Sequence, residues 1–395
     1  ALYQSYRNRN PYDADGDGFS ELGKLNMNTF GLRTYYRPTQ FSRISLEYHT
    51  TNEFRRGGNK FDLEPFETDI TEQTKHVINS GGLSYDIFWK EYKHKLSFYS
   101  SVQHTDRNSY YGAQQNPDAY GKTKDLTWVV GGMYVGNFEK VLFSPATFTA
   151  GMEYQNNSLH DIMLGYHRDM KQDVRIAGGF VQNEWKMNRF ILLAGFRVDS
   201  HNLIDNPIFS PRLNLLYKPS DKLQARITWS TGFRAPQAFD EDLHVENVGG
   251  KVAMVELAKD LKEERSQSLS ASADIYHRFG AFQINFLVEG FYTKLSDVFA
   301  LTDGEVKDGI LTRTRYNAPG ARVMGLTLEG KMAYLNKFQI QAGVTLQQSH
   351  YSEPHEWNPD APAVKKMMRT PNTYGYFTAT YTPVKPLSIA LSGPY

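Results

Sequence analysis

From Phe338 to Gln347 the chain alternates without a break. Phe338, Ile340, Ala342, Val344 and Leu346 share one face of an extended segment, and Gln339, Gln341, Gly343, Thr345 and Gln347 share the other. Successive side chains of a strand point to opposite faces, so this two-residue period predicts a strand with one apolar and one polar side. Phe282, Ile284, Phe286, Val288 and Tyr292 form a second stripe, and Phe190, Leu192, Ala194, Phe196 and Val198 a third. Leu223, Ala225, Ile227 and Trp229 form a fourth, opposite Gln224, Arg226, Thr228 and Ser230. Read this way, the chain holds about 17 strands and is all-β. Its least legible connection lies around Gly136–Ala146.

The connectors between stripes take turns in length. Short ones fall at Arg37–Gln40, Trp89–Tyr92, Met187–Arg189, Lys218–Asp221, Phe279–Gly280, Leu335–Asn336 and Thr382–Pro386. Long ones run over Arg55–Thr74, His104–Lys124, Asn156–Val174, Arg234–Arg265, Leu301–Thr312 and Tyr351–Met367. A soluble sandwich has no reason to segregate its loops in this manner. An outer-membrane barrel has one, because short turns face the periplasm and long loops face outward. The expected fold is therefore a transmembrane antiparallel β-barrel, with residues 1–395 forming part of a single barrel domain.

Composition fits this picture. Mean hydropathy is negative and no run of about 18 apolar residues occurs, which excludes a spanning helix. A spanning strand needs only every second residue to be apolar. Aromatic residues make up 14% of the chain, with 25 Tyr and 24 Phe, enough for girdles at two membrane interfaces or for a soluble all-β core. There is no cysteine, so disulfide scaffolds and cysteine-based metal sites are excluded. The net charge of +1 gives no basic excess to hold nucleic acid. No secretion signal opens the chain. An open sheet would leave two edges in hydrocarbon, so the chain reads as the middle of a barrel, without its closing strands.

One stretch carries a family likeness. Trp229-Ser-Thr-Gly-Phe-Arg-Ala-Pro-Gln237 ends the fourth stripe at Pro236, which cannot donate to a ladder. A long polar loop follows, and a new strand starts at the Leu261-Lys-Glu-Glu-Arg-Ser266 step. This succession resembles the barrel of TonB-dependent outer-membrane receptors, nearest to the vitamin B12 and siderophore types. The family usually has Pro where this chain has Glu263. The resemblance covers essentially the whole chain. It implies a barrel of about 22 strands around an N-terminal plug domain that is absent from this sequence. It also implies active import of a scarce compact ligand (a cobalamin, siderophore or haem type of chelate), driven by the TonB complex through that plug. Outer-membrane lipid and, in some relatives, a surface lipoprotein are further partners.

Four groups of residues are candidates for chemistry. Asp13, Asp15 and Asp17, followed by Gly18, reproduce the first half of a calcium-binding loop, and Glu21 can complete the shell. The full loop pattern fails, because the twelfth position is Lys24. The competing reading is a solvated acidic turn. By the loop alternation this segment is extracellular, and vitamin B12 receptors resemble it in ordering external loops with calcium. A second cluster, Asp240, Glu241, Asp242, His244 and Glu246, reads first as a solvated external loop, since charge runs face water. Thirdly, His160 and His167 share one loop, and His350 and His355 lie near another, with Met163, Met367 and Met368 in the same loops. Imidazole and thioether suit haem iron or copper, yet no pair has metal-ligand spacing. Lastly, Tyr110, Tyr111, Tyr351 and Trp357 at loop tips can stack on a flat ligand or merely cover the surface. Arg234, at the top of its strand, is read as structural within the wall, with pairing to plug carboxylates as the alternative.

No enzyme signature is present: there is no Gly-x-Ser-x-Gly elbow, no His-Glu-x-x-His, no phosphate-binding glycine loop and no dinucleotide fingerprint. The expected protein is a transporter and not an enzyme, with calcium as an ion to test and no organic cofactor. Two readings compete with the receptor: a passive porin or lipid-transporting barrel, and a soluble or surface-attached β protein that binds glycans.

Overall fold

The structure of the chain is a computed structural model that describes residues 1–248, 251–302, 304–307, 309–355 and 362–394. In chain order its strands are β1 (Leu2–Arg9), β2 (Lys24–Tyr36), β3 (Ser42–Gly58), β4 (Ile70–Trp89), β5 (His94–Ala113), β6 (Tyr120–Val141), β7 (Ser144–Met163), β8 (Arg168–Lys186), β9 (Phe190–His201), β10 (Ile208–Ser220), β11 (Leu223–Arg234), β12 (Glu246–Val248), β13 (Lys251–Leu257), β14 (Glu264–Phe279), β15 (Phe282–Leu301), β16 (Glu305–Lys307), β17 (Ile310–Tyr334), β18 (Phe338–His355), β19 (Val364–Lys366), β20 (Thr373–Val384) and β21 (Leu387–Pro394). A single helical turn, α1 (Asp240–Leu243), precedes β12. All 21 strands belong to one sheet.

Seventeen of these strands form a continuous wall. Each pairs antiparallel with the next, β11 passing to β14, β15 to β17 and β18 to β20. The other four, β12, β13, β16 and β19, are short and lie in the loops. Among the described residues no pairing joins β1 to β21, so the sheet is open there.

The connections alternate as the sequence predicts. Turns at 37–41, 90–93, 142–143, 187–189, 221–222, 280–281, 335–337 and 385–386 line one rim. The connections that follow β1, β3, β5, β7, β9, β11, β15 and β18 leave from the other. The indistinct region around Gly136–Ala146 proves to be a two-residue turn at Leu142 and Phe143. Leu142 takes a left-handed φ of 62° there without glycine or asparagine. Several of the expected long loops are shorter than the sequence suggests. The hairpin expected to open at His104–Lys124 stays paired up to Tyr110 and Tyr120, and the one at Asn156–Val174 up to Met163 and Arg168. These strands continue beyond the lipid-facing stretch into a zone where other connections pack over them, so that Ser109–Ala113 are all buried. Alternation fades in such a zone although the ladder does not.

The two faces of the wall are chemically opposite. Leu346 is 49% exposed, whereas Thr345 beside it is 8% exposed. The exposed set includes Leu46, Leu83, Phe98, Val130, Met152, Val181, Ile227, Leu269 and Leu326, all at the apolar positions of the alternation. The polar positions face the concave side. There, side chains from strands two apart touch: Tyr99 Oη donates to Glu153 Oε2 at 2.7 Å, and Tyr3 Oη meets His49 Nδ1 at 2.5 Å. Tyr376 of β20 reaches Glu329 of β17 in the same way. Neighbouring hydroxyls pair along this face, as with Thr327 and Thr345 at 3.0 Å. The apolar stripes thus point away from the enclosed side, which rules out two sheets stacked on a shared dry core.

Aromatic rings gather near the turn rim. Trp89 stacks on His94, Phe143 on Trp185, Phe190 on Tyr217 and Phe279 on Phe282. The Trp and Tyr rings among them, part apolar and part polar, favour the interface between hydrocarbon and water.

Candidate functional site: the covered mouth

The loop rim carries a structure of its own. Tyr110, Tyr111, Ala119, Met163, Tyr166, Val245 and Met254 form a buried cluster, flanked by Phe66, Val252 and Ile310. Five separate connections contribute to it. Tyr166 Oη donates to the backbone carbonyl of Tyr111 at 2.8 Å, and Tyr110 Oη to that of Asn116 at 2.9 Å. Burial pushes both phenols up to about 12, so their hydroxyls stay protonated. The structure therefore corrects the placement of Tyr110 and Tyr111. They are 0% and 3% exposed at the centre of a core, where no ligand reaches them as the loops now lie. Met163 is buried in the same core.

The connection after the Thr231–Pro236 motif supplies the largest part of this cover. Pro236 ends β11, and the chain turns through α1 into the β12–β13 hairpin. Ala253 to Leu257 of β13 then add, in parallel, to Leu311–Arg315 of β17. Val245, just before β12, and Met254 of β13 pack on the tips of β5–β6 and β7–β8. The hairpin so bridges from the β17 wall to the β5 wall.

An ion cluster pins this bridge. Asp242 is 1% exposed, and its Oδ1 lies 2.6 Å from Arg315 Nη2. Its Oδ2 accepts the backbone N–H of Phe239 at 3.1 Å, and its carbonyl accepts Arg168 Nη2 at 2.6 Å. Arg168 Nε in turn lies 2.7 Å from Asp161 Oδ2, while Thr123 Oγ1 donates to Asp161 Oδ1 at 2.5 Å. Burial pulls the Arg168 pKa down and Asp161 opposes it. Gln172 Oε1 accepts the N–H of Ala238 at 2.8 Å. The reading of this segment as solvated fails at Asp242. A buried carboxylate must be paired, and its partners lie 74 and 73 residues away in sequence. The side chains of Asp240, Glu241 and Glu246 lie outside the described residues.

Arg234 packs against aromatic rings at the start of the bridging loop. Its guanidinium sits 3.8 Å from the ring centre of Phe239 and 5.4 Å from that of Phe299. Arg315 approaches the same two rings. The arginine of the motif thereby holds the start of the bridging loop. Between β8 and β13 a cleft of about 670 Å³ opens, lined by Tyr166, Arg168, Lys171, Gln172, Met254 and Glu256 among others. Its size and mixed lining suit a compact polar ligand.

The acidic loop lies between β1 and β2. Asp13, Asp15, Asp17 and Glu21 each bring one carboxylate oxygen within 4.8 Å of the others. Asp13 accepts the N–H groups of Gly16 and Gly18 at 2.7 and 2.8 Å, and Glu21 Oε2 accepts that of Ala14 at 2.5 Å. Gly16 and Gly18 have φ of +80° and +88°, which glycine adopts without strain. Four hard oxygen donors so arranged fit calcium chemistry.

The remaining candidates do not converge. His160 Nε2 pairs with Asp169 Oδ1 at 2.8 Å, and His167 occupies a left-handed turn at φ 55°. Tyr351 meets His355 in a tilted ring contact at 5.6 Å between centres. Met367 donates its N–H to the Ser349 carbonyl, and Met368 is exposed. Trp357 lies outside the described residues. Among the described residues, the acidic loop is the one cluster of three or more potential ligands.

A sheet with an apolar convex face, a polar concave face, turns on one rim and a folded cover on the other is the wall of an outer-membrane β-barrel. The family model described as TonB dependent receptor-like, beta-barrel matches residues 1–394, and the chain belongs to that family. Its members are outer-membrane transporters rather than enzymes. No curated protein matches the chain. Solved structures share its fold at low identity. The siderophore receptor PirA from Pseudomonas aeruginosa aligns with a TM-score of 0.75 at 14% identity, over 100% of this chain and 65% of that one. The FrpB iron transporter from Neisseria meningitidis gives 0.72 at 14%, over 100% and 64%. The hemophore receptor HasR of Serratia marcescens, solved with its hemophore HasA and heme, gives 0.73 at 13%, over 99% and 67%. The chain thus spans about two thirds of the length of these proteins.

Proposed function

We propose that this chain is the wall and mouth of a receptor that imports a scarce, compact ligand across the outer membrane, with energy passed from the TonB complex through a plug domain. The observation that carries this reading is the covered mouth. A passive porin needs an open path, whereas here a hairpin crosses between opposite walls and is held by a buried ion cluster. A receptor that captures its ligand before moving it has a use for such a cover, because the cover can open on demand. The ligand class is a chelate of siderophore, haem or cobalamin type. A siderophore receptor, an iron transporter and a hemophore receptor share its fold, and the 670 Å³ cleft has room for a siderophore or haem. Calcium at Asp13, Asp15, Asp17 and Glu21 would order the β1–β2 connection and favours the cobalamin type within this class.

The test is uptake. Cells that depend on the intact receptor should accumulate one labelled chelate among a panel of siderophores, haem and cobalamin, and should lose that uptake when TonB is removed. Uptake that persists without TonB would replace this reading with passive diffusion. For the ion, terbium luminescence titrated with calcium should report one site, and Asp15→Asn with Asp17→Asn should abolish it.

A further inference from the structure

On the convex face, one register row beyond the apolar band is basic. Pairing sets Lys294 of β15 opposite Arg322 of β17, Arg322 opposite His350 of β18, and His350 opposite Lys366 of β19. Lys294 and Arg322 keep the parity of Tyr292 and Leu326, so they leave the wall on its lipid-facing side. Like charges directly opposed across a ladder destabilise it. Lys294, Arg322 and Lys366 nevertheless have no ion pair and no side-chain hydrogen bond among the described residues. The neighbouring carboxylates are engaged elsewhere: Glu263 holds Arg265, and Glu264 accepts the N–H of Phe299. The Nδ1 atom of His350 is enclosed without a partner.

Directly below this row β14, β15, β17 and β18 form a recess of about 700 Å³, lined by Leu269, Gly290, Tyr292, Met324, Leu326 and Leu346. Gly290 is its floor, since a Cβ added there would meet nothing within 4 Å. Lys294 lies two residues past Tyr292, about 7 Å along the strand. Two cations that no carboxylate among the described residues neutralises thus stand immediately above an apolar trough.

We propose that Lys294 and Arg322, flanked by His350 and Lys366, bind the phosphate of a lipid headgroup on the loop-side leaflet, while an acyl chain of the same lipid lies in the recess over Gly290. A guanidinium fork and an ammonium group both suit a phosphate. Charge alone would take any phosphate. The trough continuous with it selects one that carries hydrocarbon.

Native mass spectrometry of the intact protein in non-ionic detergent tests this. Phosphatidylglycerol and phosphatidylcholine with the same acyl chains would be the probes. The wild type should retain phosphatidylglycerol about tenfold better than phosphatidylcholine, from two surface cations. Lys294→Gln with Arg322→Gln should remove that preference, and Gly290→Leu should weaken retention of both lipids. Each single glutamine variant should show an intermediate loss, which serves if the double variant does not fold. Equal retention of the two lipids by the wild type would overturn the proposal, as would an undiminished preference in the double variant. Displacement of the lipid by millimolar inorganic phosphate would overturn it too, in favour of a free-phosphate site.

Discussion

The wall and the cover of this protein obey opposite rules. In the wall, Ile227, Leu269 and Leu346 face outward, and Thr327, Thr345 and Glu153 face inward. In the cover, Tyr110, Met163 and Val245 are inside, and charged groups such as Lys171 and Asp169 are outside. The difference is one of solvent. The wall meets hydrocarbon on its convex side and so must present apolar groups there, with every backbone hydrogen bond closed in the ladder. The cover meets water and builds an ordinary dry core. The wall is stitched by register between adjacent strands, whereas the cover is stitched by a few contacts between distant residues. Damage to the cover should therefore stay local and leave the wall standing.

The largest effect is expected from Asp242→Ala. It leaves Arg315 without its buried partner and the Phe239 N–H without its acceptor, a loss of about 3–5 kcal/mol for a broken buried pair. Hydrogen exchange should show protection lost over residues 238–257 while β14 and β15 keep theirs. If protection fell across the whole wall, the cover would not be a separate unit.

The next effect contrasts the two faces of one strand. Ile227→Arg puts a charge into hydrocarbon at a cost of about 2–4 kcal/mol near the bilayer centre. Thr228→Arg, one residue on, faces the lumen and loses one hydrogen bond to Asn214, about 1 kcal/mol. Urea titration of folding into bilayers should separate the pair. Equal losses would mean that the strand has no lipid side.

A subtler test uses pH. Tyr110 and Tyr166 have folded pKa values raised to about 12, against an ordinary value of 10. For such groups the unfolded form loses its proton first. Their contribution is thus complete below pH 10 and is lost as pH rises from 10 toward 12. The cover should loosen in that window, and tyrosinate absorbance should rise with the loss of protection at residues 110–119. Tyr166→Phe should reduce the late-titrating signal by one tyrosine.

How far the sequence alone revealed this molecule depends on the same contrast. The wall was legible because hydrocarbon on one side and water on the other impose a period of two, visible in Phe338–Gln347 without any tertiary knowledge. The acidic loop was legible because its donors lie within nine positions, Asp13 to Glu21. Strand extensions past His104 and Asn156 were not legible, since the cover packs over their ends and erases the alternation. Nor was the cover. Asp161, Arg168, Asp242 and Arg315 come from four places along the chain, and only the curvature of the sheet brings them together. Tyr110 and Tyr111 looked like loop-tip aromatics because sequence cannot show what folds over a loop.

The central claim is that the apolar stripes face lipid. The chain has no cysteine, so a single cysteine placed anywhere becomes a unique label. Spin labels stepped through residues 338–347 in bilayers should collide with dissolved oxygen at 340, 342, 344 and 346, and with a water-soluble nickel chelate at 339, 341, 343, 345 and 347. A period of two with these phases is the predicted result. Oxygen accessibility in the opposite phase, or apolar positions shielded from both reagents, would contradict the account.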